Sequence, residues 1–206
     1  MKSLWRALAL TIVVPSLAWA QAPAAGGQRG AAPPAPRLSV TSTAWPDGGE
    51  IPMRHAARGD NKSPAFAFHW TTGTTPATAP AGLQSYAVIF HDIENSSMKG
   101  ITDTLHWTAF NIPRTATGLQ EGLATGDLPD GTINGPGLAR RTGGAGAYYG
   151  PGAGPGPFHH YVFEFYALDT TLSLPGTTTR EELLKAMEGH VIGKAAFTGR
   201  FHTVAP

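Results

Sequence analysis

The chain has 206 residues and no cysteine, so any chemistry must come from histidines, carboxylates, hydroxyls and backbone amides. A thiol nucleophile, a disulfide-exchange centre and a cysteine-ligated zinc site are all excluded. The informative polar residues stand at strand ends. SYAVIFHD (85–92) closes on Asp92, and LHWTAFNIP (105–113) carries His106 at its start. A Gly/Pro stretch beginning at Gly150 and Pro151 runs into His159 and His160, just ahead of YVFEFYALD (161–169). If 85–92 and 105–113 are antiparallel neighbours, the end of the first lies beside the start of the second, and Asp92 and His106 share one rim. A further neighbour running in the direction of 105–113 would bring His159 to the same rim. By strand parity His159 shares a face with Tyr161, Phe163 and Phe165.

Such a cluster admits three readings. Each histidine can be an ordinary residue satisfied by a local hydrogen bond. The imidazoles and loop amides can together donate to a phosphate or carboxylate, forming a small anion pocket. Two histidines and a carboxylate can also hold zinc or iron, although the spacing here matches no local metal motif. Hydrolase signatures are missing: there is no G-x-S-x-G, no H-E-x-x-H and no phosphate-binding loop ending in G-K-[ST]. Asp103, Asp127 and Asp130 read as loop residues. The sequence does not separate a structural role for His190 and His202 from one at the pocket edge.

The elements that must position these residues are mostly strands. Glycine and proline are abundant (26 and 18 residues) and charged residues make up only 14%, a composition of turns and short strands rather than a helical bundle. The runs at 85–92 and 105–113 are nearly continuous in apolar residues, as in strands covered on both faces. AFAFHW (65–70) alternates, with Phe66, Phe68 and Trp70 on one side. TTTREELLKAMEGH predicts a helix with a threonine-glutamate capping box, apolar Leu183, Leu184 and Met187 at helical spacing, and Gly189 as its stop. AAFTGRFH reads as a closing strand. The expected fold is mainly β, a sandwich with a few peripheral helices.

Lys2, Arg6 and the apolar run ending in Ala18-Trp19-Ala20 read as a cleavable signal peptide over residues 1–20. Residues 21–37, rich in Ala, Pro and Gly, read as a disordered linker, with one folded domain over 38–206. The expected location is therefore secreted or periplasmic. A formal net charge of +1 gives no reason to expect nucleic acid as a partner.

Five blocks in order carry a further signal between Ile51 and His202. Asn61, Ser63 and Pro64 precede a strand ending in Trp70; SYAVIFHDIE, LHWTAFNIP, YYGPGAGPGPFHHYVFEFYALD and EELLKAMEGHVIGKAAFTGRFH follow. Together they resemble the phosphatidylethanolamine-binding protein family, in its bacterial Raf-kinase-inhibitor-like branch. The resemblance implies a β-sandwich with a small pocket for phosphate, phosphoethanolamine or a similar headgroup. By position, the pocket residues it implies are Asp92, His106, Gly150, Pro151, His159 and Tyr161, with no cofactor and no catalytic residue. It also implies a homodimer.

This chain departs from the family at Asp92-Ile93-Glu94-Asn95, where Asp-Pro-Asp-Ala-Pro is usual. It departs again at Gly152-Ala153-Gly154, where Cys-Pro-Pro is common, and at His160, where Arg is usual. These changes imply a looser, less cationic pocket. The reading that follows is an exported binder of a small anionic ligand or phospholipid headgroup. The alternatives are a metal-dependent periplasmic enzyme using Asp92, His106 and His159, or an inhibitor or scaffold of another protein whose target the sequence does not identify.

Overall fold

The computed structural model describes residues 34–96, 101–135, 137–138 and 146–204. The expected signal peptide and the linker as far as residue 33 lie outside the described residues. Two antiparallel sheets make up the domain. The smaller is built on β2 (Phe66–Thr72), flanked by β1 (Arg37–Thr41), β3 (Thr75–Pro76) and β6 (Gly118–Leu119). The larger has the order β7-β5-β4-β8-β9, from β7 (Ile133–Asn134), β5 (Thr104–Pro113), β4 (Ser85–Asp92), β8 (His159–Leu168) and β9 (Val191–Phe201).

The period-two pattern of β2 puts Phe66, Phe68 and Trp70 on the inner face, where they meet rings from the larger sheet. Phe66 contacts Phe163, Phe165 and Phe197 at centroid separations of 4.9, 4.9 and 5.6 Å. Trp70 donates its indole N–H to the Tyr86 hydroxyl at 3.1 Å. Burying each such ring contributes about 1.5–3 kcal/mol. This aromatic core sets the spacing between the sheets.

The continuous apolar run of β4 has the expected cause. Its inner side chains join the aromatic core, while Ala87 and Ile89 pack outward with Phe110, Tyr166 and Leu168. Helix α1 (Arg180–Met187) covers that outer face with Leu183 and Met187. Thr179 caps it, receiving the Glu182 amide while the Glu182 side chain accepts from the Thr179 amide. Gly189 (φ +81°) turns the chain out of the helix into β9. Leu184 is 40% exposed, because an eight-residue helix lying on a sheet buries one narrow stripe. The closing strand begins at Val191 rather than at the alanines, since the whole segment after the helix finds a partner in β8.

Ion pairs tie α1 to the sheet. Arg180 pairs with Asp103, which also accepts from His91 on β4; beyond it, Glu164 on β8 pairs with Lys194 on β9 at 2.7 Å. This chain of charges lies on the outer face, behind the rim that carries the candidate site.

Candidate functional site

β4 is antiparallel to both β5 and β8, so the end of β4 lies beside the beginnings of its two neighbours. Asp92 stands opposite Thr104 on one side and Tyr161 on the other. The three distant segments therefore converge at one end of the sandwich, as strand direction requires.

His106 reaches the inner side through a β-bulge. In the β4–β5 register Phe90 faces Trp107 but His91 faces Leu105, leaving His106 as an extra residue on β5. Trp107 and Ala109 point into the aromatic core and Phe110 points outward. Strict alternation would send His106 outward; the bulge turns it back instead. Its ring packs edge-on against Tyr161 at 5.3 Å and at a tilt against Phe90 at 5.2 Å.

Each ring is held from behind. Nδ1 of His106 lies 2.9 Å from the Tyr149 carbonyl and 3.1 Å from that of Gly150. Carbonyls only accept, so Nδ1 donates and Nε2 is the free nitrogen. Nδ1 of His159 lies 2.8 Å from Oδ2 of Asp92, which leaves its Nε2 facing away from the carboxylate. The other oxygen of Asp92 accepts the amides of Glu94 and Asn95, both at 3.1 Å. Asp92 is 1% exposed and His106 2%, whereas the side chain of His159 is 31% exposed, so access to the cluster runs past His159.

Burial pushes the His106 pKa down; the two carbonyl acceptors and the Asp92 charge pull it up without overcoming that penalty, and His91 behind it adds to the lowering. Burial, with Asp92 beside it, pushes the Tyr161 hydroxyl far up, so it stays protonated. The amide of Gly152 donates to this hydroxyl at 3.4 Å.

The Gly/Pro loop positions the cluster. Gly150 gives its amide to Asn61 Oδ1 at 2.8 Å, and Pro151 has no N–H; its carbonyl accepts from Ala57 at 2.9 Å. The Gly150 carbonyl, with that of Tyr149, orients His106, while the Pro151 carbonyl ties the loop to Ala57. Asn61, in a left-handed conformation (φ +53°), is therefore part of the support. Its Asn-x-Ser-Pro motif was visible in the sequence, but its partner lies 89 residues away.

The departures from the usual pattern also fit one another. Glu94 accepts from both the amide and Nδ1 of His160 at 2.6 Å, making a local pair at the rim. His202 donates to the Gly156 carbonyl at 2.6 Å and packs on Phe158, securing the far part of the loop. His190 pairs with Asp169 near the opposite end of β8, away from the cluster. His55, which sequence reading passed over, is completely buried beneath Tyr148 and Trp45 and supports the loop from below.

Asp92 and His106 are almost wholly buried, and His159 is the one of the three that reaches solvent. The cleft of about 780 Å³ lies elsewhere, between the outer face and α1, bounded by Ile93, Asp103, Arg180 and Leu184. A second groove of about 450 Å³ runs along Ile51, Met53, Phe201 and Val204. Neither is lined by the cluster. Among the described residues no three His, Asp or Glu side chains are grouped to hold a metal ion; Asp92 is occupied by His159 and two amides.

A family model for phosphatidylethanolamine-binding protein matches residues 41–202. A UPF0098 protein of Methanothermobacter thermautotrophicus is 35% identical over 165 residues, covering 80% of this chain and 98% of the relative. A Mycobacterium tuberculosis protein named as a lipoprotein, LppC, is 30% identical over 175 residues, covering 82% of this chain and 75% of its own. The solved structure of the Chlamydia trachomatis phosphatidylethanolamine-binding protein homologue CT736 matches with a TM-score of 0.66 at 28% identity, covering 81% of this chain and 98% of that one. Escherichia coli YbcL shares the fold, with a TM-score of 0.62 at 24% identity over 81% and 99% of the two chains. With its aromatic sandwich and its Asp-His rim, this chain belongs to the phosphatidylethanolamine-binding protein family.

Proposed function

We propose that the chain is an exported, non-catalytic protein that binds a small anion, such as phosphate, phosphoethanolamine or a similar headgroup, at the Asp92–His106–His159 rim. The observation that carries this reading is the pair of imidazoles anchored through Nδ1. Both are pre-oriented by buried acceptors, and both keep Nε2 for a ligand. Tyr161 supports the floor. Asp92 orients His159 and offers a counter-charge to an ammonium group on the ligand. With Asp92 and His106 buried and only His159 partly open, the rim suits an anion of a few heavy atoms. Export is supported by the charged-then-apolar start of the sequence and by the lipoprotein name of the mycobacterial relative.

Calorimetry with inorganic phosphate and phosphoethanolamine tests the proposal. His159→Ala and His106→Ala are each expected to weaken binding at least tenfold, the size of one lost charge-assisted hydrogen bond, about 1.5–3 kcal/mol. Unchanged affinity in both variants refutes the assignment.

A further inference from the structure

Building on the proposed anion site, we infer that anion binding there is coupled to the uptake of about one proton by His106. The argument starts from the tautomer. Two carbonyl oxygens, of Tyr149 and Gly150, converge on Nδ1 of His106, so the single proton of a neutral ring must sit on that atom. The other nitrogen then presents a lone pair. A fully ionised oxyanion such as sulfate also presents only lone pairs, so a neutral His106 repels it. Protonation of Nε2 converts that contact into a charge-assisted hydrogen bond.

The surroundings keep the proton off until a ligand arrives. The ring is buried between Phe90 on β4 and Tyr161 on β8, and this desolvation lowers its pKa. The charged and titratable groups facing it are few. From β4, Asp92 favours the imidazolium, while His91 behind the strand opposes it. From β8, His159 is bound to Asp92, and Tyr161 keeps its hydroxyl proton. From the loop, the Tyr149 ring lies 6.2 Å away, and Tyr148 donates its hydroxyl to the His55 carbonyl. Glu94 and His160 pair with each other at the rim. An anion entering this setting adds a second negative charge beside Asp92. A proton drawn from solvent onto Nε2 of His106 restores the balance, and by linkage the same proton strengthens binding.

Sulfate is the suitable probe, because it stays fully ionised between pH 5 and 8 and brings no proton of its own. Calorimetric titration of the full chain with sodium sulfate at constant ionic strength should show Kd weakening as pH rises, approaching tenfold per pH unit on the alkaline side. Heats measured in two buffers of unlike ionisation enthalpy should differ by the amount for about one proton per anion. Histidine ¹⁵N spectra give an independent readout. At pH 8 the free protein should show His106 protonated at Nδ1 alone, and saturating sulfate should add a proton at Nε2. Sulfate binding with a flat pH profile and no buffer dependence overturns the coupling while leaving the anion site standing. Uptake at His159 in place of His106 overturns the assignment. Failure of both sulfate and phosphate to bind at any pH removes the site and the coupling together.

Discussion

Gly150 sits where the loop ahead of β8 crosses the backbone of residues 55–57, and a Cβ built there would lie 2.0 Å from the His55 carbonyl oxygen. No side chain fits without moving one of two backbones, and one of them carries the carbonyls that orient His106. Gly150→Ala is expected to cost about 1–3 kcal/mol in denaturant unfolding, the usual penalty of overpacking. Asn61 separates two effects at the neighbouring position. Its left-handed backbone suits Asn or Gly, and its Oδ1 holds the Gly150 amide. Both Asn61→Gly and Asn61→Ala lose the hydrogen bond, but only alanine adds backbone strain, so alanine should be worse by about 1–2 kcal/mol. Equal stabilities of the two variants would mean that the left-handed conformation carries no cost. At this scale the sequence was legible as residue types: Asp92, His106, His159 and Tyr161 stood out by position at strand ends. The service role of Asn61 and Gly150 was not, because it depends on a contact between loops that no local pattern encodes.

Among the elements, helix α1 shows how packing overrides pattern. Eight residues are too few to be stable alone in water, so the helix exists through its cap and its buried stripe. Leu183 is 1% exposed and Leu184 40%, although both occupy apolar positions in the sequence. Leu183→Ala is therefore expected to destabilise by about 2–5 kcal/mol, and Leu184→Ala by less than about 0.5 kcal/mol. Removing the capping hydroxyl in Thr179→Ala should cost about 1 kcal/mol. Thermal unfolding of the three variants checks the order, and a large loss at Leu184 would contradict the observed orientation. The strands were readable for a simple reason: β4 is nearly continuous in apolar residues because both its faces are covered, and β2 alternates because one is not. The bulge at His106 escaped detection. A single extra residue leaves the apolar run of β5 intact while reversing which face its histidine joins, and only pairing with β4 reveals it.

For the molecule as a whole, the buried histidines govern the response to acid. His55 and His106 both have pKa values held below the ordinary 6.5 by burial. The unfolded chain therefore takes up protons at these residues before the folded chain does. Stability falls as pH drops from about 6.5 towards the depressed folded values, and the contribution is fully present above 6.5. Asp103 and Glu164 act lower down. Arg180 and His91 hold the first below the usual carboxylate range, and Lys194 chiefly holds the second, so their contribution is lost only as pH falls through those lowered values. Two stages of acid destabilisation should result, the first belonging to histidines. An anion at the rim acts on one of them selectively. It favours protonated His106 in the folded state, while His55, enclosed with its Nε2 unpartnered, receives no such help. Melting temperatures in sodium sulfate and sodium chloride at equal ionic strength, taken at pH 8, 6.5 and 5, should therefore diverge increasingly towards pH 5. Sulfate also stabilises proteins generally by exclusion from their surface, but that effect requires no histidine and adds a similar increment at each pH. A sulfate-minus-chloride difference that stays constant from pH 8 to 5 would leave only that general effect, and the cluster would then be an architectural joint between strands rather than a receptor for anions.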